Sequence, residues 1–275
     1  MRTIIAPTDF SPVSLNAVDY AADMACMLSA RLTLFHVYSI PIPVGEVPMP
    51  PYSTELMEEE VQQEMEKLKE KLLVRTGGKT IIHNEIEMGS VLSKLTTYCA
   101  TIKPFAVVMG AGTANGIERF LFGGKTTGAL EQVRWPLLIV PPLVKFKNIR
   151  KIGLACDFRE VIESVRVKEI QKWVEEFQAE LHVLHVSDKT KEALSSETIA
   201  ESGLLQEMLG EMHPKYHFIN KPAVEQGIAE FAEMNKLDLL IIIPKKHGLI
   251  SKIFQYSHSK RLVLHTHVPV VAIHE

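Results

Sequence analysis

The residues with the most chemical content lie between 106 and 127, AVVMGAGTANGIERFLFGGKTT. The apolar run Ala106-Val107-Val108-Met109 is too short for a helix and is bounded by glycine, which predicts a buried strand. Gly110, Gly112 and Gly116 follow, then Gly123-Gly124 and Lys125-Thr126-Thr127. Glycines just past a buried strand let the backbone turn sharply and bring its N–H groups close to a ligand. A helix starting near Gly124 would point free N–H groups and a positive dipole end into the same space. Phosphate is the ligand that suits such a loop. Two familiar phosphate motifs do not fit. Gly110, Gly112 and Gly116 give G-x-G-x-x-x-G, one residue longer than the dinucleotide fingerprint. A P-loop needs glycine where Arg119 stands, so Gly124-Lys125-Thr126 is a decoy.

Other chemistry is thinner. His265 and His267 alternate before the last strand, with His247, His258 and His274 close in sequence. An extended segment would put the first two imidazoles on one face, a spacing that suits zinc. No local third ligand accompanies them, and the plainer reading is surface or hydrogen-bonded histidines. There is no G-x-S-x-G elbow, no H-E-x-x-H and no legible pairing of nucleophile and base. The three cysteines, Cys26, Cys99 and Cys156, have no C-x-x-C spacing and read as reduced core thiols in a cytoplasmic protein.

The elements that must position these residues can be read in order. Residues 2–6 form a strand. Pro7-Thr8-Asp9 turns, and Ser11-Pro12 supplies an N-cap and a proline in the first turn of a helix. That helix carries Val18, Ala21, Ala22, Ala25 and Leu28 on one face. A second strand covers 31–38. Five prolines between 39 and 53 predict an extended loop. The long helix after it has a stripe of Met57, Val61, Met65, Leu68 and Leu72, read as core, and a glutamate-rich solvated face. A strand over 80–87, a helix over 90–102, the strand before Gly110, a short helix to Val133 and a strand over 136–140 complete the unit. Strands alternating with helices imply a parallel sheet covered on both faces. Ligands of such sheets bind at the carboxyl ends of the strands, where strand order reverses.

Past a linker near 141–147 the pattern restarts. Asp157 matches Asp9 and His185 matches His36 at an offset near 148, while Pro244 is matched to Gly110 and Pro269 to Pro136 near 133. The second copy is therefore shorter by about 15 residues, and the loss is placed in its version of the proline loop. The chain reads as two α/β domains, 1–146 and 147–275. At its glycine loop the second copy has Pro244, His247 and Tyr256, and only Ser257 fits, so no nucleotide is expected there. A chain of 275 residues suits two domains. Its net charge of −3 gives no drive toward nucleic acid, and no apolar run approaches membrane-spanning length.

One further pattern, G-x-x-G, nine residues, then G-(S/T), fits Gly110 and Gly123, with Thr113 at its second glycine and Gly124 at its hydroxyl position. Together with Ile4-Ile5-Ala6-Pro7-Thr8-Asp9, Leu34-Phe35-His36-Val37, Val108-Met109-Gly110 and Pro136-Leu137-Leu138-Ile139-Val140, it resembles the universal stress protein family, twice over. The resemblance implies tandem Rossmann-like domains, each a five-stranded parallel sheet with helices on both faces. It implies ATP, with or without Mg²⁺, in the N-terminal domain only. Pro7, Thr8, Asp9 and Val37 would flank the nucleoside, with Asp9 accepting from ribose hydroxyls. Met109, Gly110, Thr113, Gly123, Gly124, Lys125 and Thr126 would flank the phosphates. The fifth strands of the two halves would pair as an intrachain pseudo-dimer. Loops over 39–53 and 110–124, ordered by ligand, would be sensed by an unidentified protein partner in a stress response. The competing classes are a slow ATPase or adenine-nucleotide hydrolase, and a ligand-free interaction module.

Overall fold

A computed structural model describes residues 1–39, 54–111, 133–158, 161–187, 196–244 and 266–274. The first half runs β1 (Thr3–Pro7), α1 (Pro12–Met27), β2 (Arg31–Tyr38), α2 (Thr54–Arg75), β3 (Ile82–Met88), α3 (Val91–Ile102), β4 (Ala106–Gly110) and β5 (Leu137–Val140). The second runs β6 (Lys151–Ala155), α4 (Val161–Ser164), α5 (Val167–Phe177), β7 (Glu180–Ser187), α6 (Ser196–Met208), a 3-10 turn (Gly210–Met212), β8 (Lys215–Asn220), α7 (Val224–Met234), β9 (Leu239–Ile242) and β10 (Val270–Ala272). The short helix expected before Val133 lies outside the described residues.

Among the described residues the strands join one ten-stranded sheet, ordered β3-β2-β1-β4-β5-β10-β9-β6-β7-β8. Within each half the ladders are parallel, and the two halves have the same strand order. The halves meet where β5 and β10 pair antiparallel, Val270 opposite Ile139 and Ala272 opposite Leu137. This is the fifth-strand pairing that the resemblance implied. It removes two apolar sheet edges from water, which otherwise invite pairing with another chain.

The alternation of side chains carries one core along each face through that junction. Leu138, Val140, Val271 and Ile273 lie on the face covered by α1, α2, α5 and α6. Leu137, Ile139, Val270 and Ala272 lie on the face covered by α3 and α7. The predicted inward face of α1 is buried, and so are Met65, Leu68 and Leu72 of α2. Contacts between the halves add to the strand pairing. Trp173 of α5 is fully buried with its ring 4.8 Å from Phe105, and Arg2 pairs with Glu176. Asn16 of α1 donates to the carbonyls of Pro141 and Val144, and Tyr20 meets Phe146 edge-on at 5.2 Å, so the linker is tied to α1.

The duplication is visible in the backbone. Left-handed residues recur at matched places: Phe10 and Phe158, Ser29 and Gln178, Lys103 and Lys236. The last four end helices, where a left-handed residue lets the final carbonyls find partners. The shortening of the second copy is not confined to the loop after its second strand. Helix α6 has 13 residues where α2 has 22. An amphipathic helix can lose whole turns without changing its periodicity, so the sequence pattern hides that loss.

Candidate functional site

The site of the first half is built on the turn after β1. Thr8 N–H donates to the Phe35 carbonyl at 2.9 Å, continuing the β1–β2 ladder past Pro7. The Thr8 carbonyl lies 2.8 Å from His36 Nδ1. A carbonyl only accepts, so Nδ1 carries a proton and donates. Phe10 then takes φ 61°, a left-handed conformation that costs a non-glycine residue about 1–3 kcal/mol. Two features hold it there. Its N–H donates to Thr8 Oγ1 at 3.0 Å, and its ring lies 4.9 Å from that of His36.

The turn feeds directly into α1. Ser11 is the N-cap, accepting from Ser14 N–H at 3.2 Å, and Pro12 follows inside the first turn. Ser14 Oγ lies 3.2 Å from Thr8 Oγ1 and accepts from Asp9 N–H at 3.3 Å. Ser11 N–H donates to Asp9 Oδ1 at 3.1 Å. Burial alone would push the Asp9 carboxyl up, but hydrogen bonds from Ser11 and Ser14 outweigh it and hold the group below its ordinary value. Asp9 is thus an ionised, exposed carboxylate with one oxygen anchored.

Gly110 ends β4 beside β1, at the point where strand order reverses. A Cβ there would stand 2.5 Å from the Val13 carbonyl oxygen and 2.7 Å from Val13 Cγ1. The glycine therefore lets the first turn of α1 rest on the end of β4. Val37 and Met109 are half-buried at the same carboxyl edge. The structure thus gathers Pro7, Thr8, Asp9, Val37, Met109 and Gly110 at the ends of three adjacent strands, β2, β1 and β4. Thr113, Gly123, Gly124, Lys125 and Thr126 lie outside the described residues, as do residues 40–53 of the proline loop and His247, His258 and His265. His267 sits on an exposed bend. Among the described residues no group of three or more His, Cys, Asp or Glu side chains could hold a metal ion. Ser14, which ties Thr8 to Asp9, was not singled out in the sequence. Its only signal there is a hydroxyl three residues after an N-cap.

The second half repeats the floor and changes the rest. Cys156 N–H donates to the Leu184 carbonyl at 3.0 Å, His185 Nδ1 lies 3.1 Å from the Cys156 carbonyl, and Phe158, at φ 51°, stacks on His185 at 4.6 Å. Asp157, however, is buried where Asp9 is exposed. The ladders also correct the match of Pro244 with Gly110. Ala106 pairs with Ile4, and Leu239 with the equivalent Ile152. Counting along both strands sets Ile243 opposite Gly110 and Pro244 opposite Ala111. The error of one residue arose because proline, like glycine, looked like the end of an apolar run. With it corrected, Tyr256 follows Ile243 at the spacing of Gly123 from Gly110. The bulk of Ile243 accompanies a broken helix: α1 is continuous, whereas its counterpart is split into α4 and α5 at Arg166.

These features define a duplicated α/β fold whose first half sets a glycine and an ionised carboxylate at the carboxyl edge of its sheet. The sequence model of the Universal stress protein family matches residues 1–141 and 148–274. The chain belongs to the universal stress protein family, as two domains in tandem. A universal stress protein of Methanocaldococcus jannaschii is 29% identical over 141 residues, which are 50% of this chain and 81% of that protein. The crystal structure of a universal stress protein from Archaeoglobus fulgidus superposes with a TM-score of 0.69 at 17% identity, covering 99% of this chain and 96% of that one. A protein of unknown function from Pseudomonas aeruginosa superposes at 0.60 and 14% identity, covering 100% and 92%. At such identities the superpositions show the shared fold. Among the described residues no helix is long and apolar enough to cross a membrane.

Proposed function

We propose that this chain is a cytoplasmic, non-catalytic stress-response protein that divides near residue 146 and binds an adenine nucleotide in its first half alone. The observation that carries the reading is the difference between the halves at one position. Gly110 lets α1 begin against the end of β4, beside an exposed, ionised Asp9, while Ile243 occupies the matching place beside a buried Asp157. In this reading the free oxygen of Asp9 accepts from ribose hydroxyls, Pro7, Thr8 and Val37 flank the nucleoside, and Met109 and Gly110 lead toward the phosphates. Thr113, Gly123, Gly124, Lys125 and Thr126 complete that phosphate loop, with Mg²⁺ as a companion ion. A protein partner reads the liganded state.

The test is to denature the purified chain and identify released small molecules by mass spectrometry, then to titrate the emptied protein with ATP and Mg²⁺. Near-stoichiometric ATP or ADP, and weakening by about tenfold to a hundredfold in Asp9→Ala, are expected for a lost hydrogen bond to a charged group. Saturating ligand must also raise the melting temperature. No released nucleotide and no thermal response would sink the reading and leave a ligand-free interaction module. Phosphate release that Asp9→Ala abolishes would make the protein a hydrolase instead.

A further inference from the structure

Among the described residues the sheet ends at β8, whose one neighbour is β7. Two imidazoles join these strands. His182 pairs in register with Lys215 and Leu184 with His217, so the histidines are diagonal on one face. His182 Nδ1 lies 3.0 Å from His217 Nε2, and the ring planes differ by 12°. His182 is only 6% exposed, and Phe231 of α7 lies against the His217 ring at 4.6 Å. The same three positions in the first half are Thr33, Glu85 and Tyr98. The second half has replaced a hydroxyl and carboxylate set with two titratable rings over an apolar one.

An N–H···N bond between imidazoles needs one donor and one acceptor. A neutral or singly protonated pair can make it. A doubly protonated pair sets N–H against N–H at this distance, and the strands must part. The surroundings limit relief. Glu180 of β7 places Oε2 3.3 Å from His182 Nε2, but Lys215 of β8 holds the same oxygen at 2.6 Å. Lys151 of β6 and Lys215 oppose protonation of His182. Helix α7 sets Phe231 against the His217 ring, and its Glu230 is engaged with Lys221. We propose that the His182–His217 pair is an acid-sensitive latch that fastens the edge strand β8 to β7.

The sign follows from the buried rings. Burial lowers the proton affinity of both histidines below the ordinary 6.5, and Glu180 only partly offsets it at His182. The opened state therefore binds protons more readily. The latch stabilises fully above about pH 6.5 and is lost as the pH falls through the depressed folded values. Hydrogen exchange followed by mass spectrometry on the full chain, at about pH 7.5 and about pH 5.5 and corrected for intrinsic rates, tests this. At about pH 5.5, one unit below the ordinary 6.5, protection of β8 should fall by up to about tenfold for each histidine, while β3, the matching edge of the first half, holds its value. In the double variant His182→Gln, His217→Gln, whose amides can hydrogen-bond without titrating, β8 should lose its pH dependence. Parallel behaviour of β8 and β3 in the native chain, or a pH response kept in full by the variant, would overturn the proposal. Should the variant fail to fold, the native comparison of β8 with β3 decides alone.

Discussion

Gly110→Ala is the smallest change that probes how the site is assembled. The added Cβ would meet the Val13 carbonyl oxygen at 2.5 Å, its carbonyl carbon at 3.0 Å and Cγ1 at 2.7 Å. Each is about 1 Å inside ordinary contact. Two of the three atoms are backbone, so no rotamer change removes the clash, and the first turn of α1 must retreat. Val13 sits between Ser11, whose N–H donates to the Asp9 carboxylate, and Ser14, whose hydroxyl contacts Thr8 and Asp9, so the retreat is transmitted to the turn. Overpacking of this kind costs about 1–3 kcal/mol. For a chain of this size that is a fall in melting temperature of about 2–10 °C. Thermal unfolding followed by circular dichroism reads it. Adding Val13→Ala removes the Cγ1 contact but not the carbonyl one, so rescue should be partial. A Gly110→Ala protein that melts within about 1 °C of the native chain would refute the claim that this glycine exists to seat α1.

Two further changes test other parts of the structure. Trp173→Ala empties a fully buried site between the halves and should cost about 3–5 kcal/mol while leaving a single unfolding transition; two separate transitions in calorimetry would contradict the shared core. Ser14→Ala removes one of the bonds that offset burial at Asp9, so the carboxyl should titrate higher by NMR. Because the native group lies below its ordinary 3.8, its contribution is present above that pH and is lost as the pH falls through the folded value. The variant should therefore give up part of its acid resistance, and an unchanged titration of Asp9 would show that Ser14 does not hold it.

Much of this was legible from the sequence because local and global signals agreed. Ser11-Pro12 announced the start of α1, and the stripes of α1 and α2 announced their buried faces. The paired landmarks Asp9 and Asp157, and His36 and His185, announced the duplication. His36 and His185 are packing residues: each lies against a turn carbonyl and a phenylalanine ring. What was hidden was register. Leu239 to Ile243 is an unbroken apolar run, and nothing within it marks which residue stands opposite Gly110; only the β6–β9 ladder settles that. The break between α4 and α5 was hidden too, because no glycine or proline interrupts Val161–Val167. Tertiary packing, not propensity, divides that helix.

The repeated floor bears on where recognition lies. A left-handed phenylalanine is costly, yet it is present at both Phe10 and Phe158, each against a histidine whose Nδ1 faces the turn carbonyl. If that strain served a ligand, it should have relaxed in the half where Ile243 and a buried Asp157 have replaced the open edge. It has not relaxed. The Phe–His device is therefore part of how this fold turns from its first strand into its first helix. What only the first half keeps, and what the proposed ligand site rests on, is the glycine at the end of β4, the unbroken α1 that begins against it, and the carboxylate that Ser11 and Ser14 hold ionised at the surface.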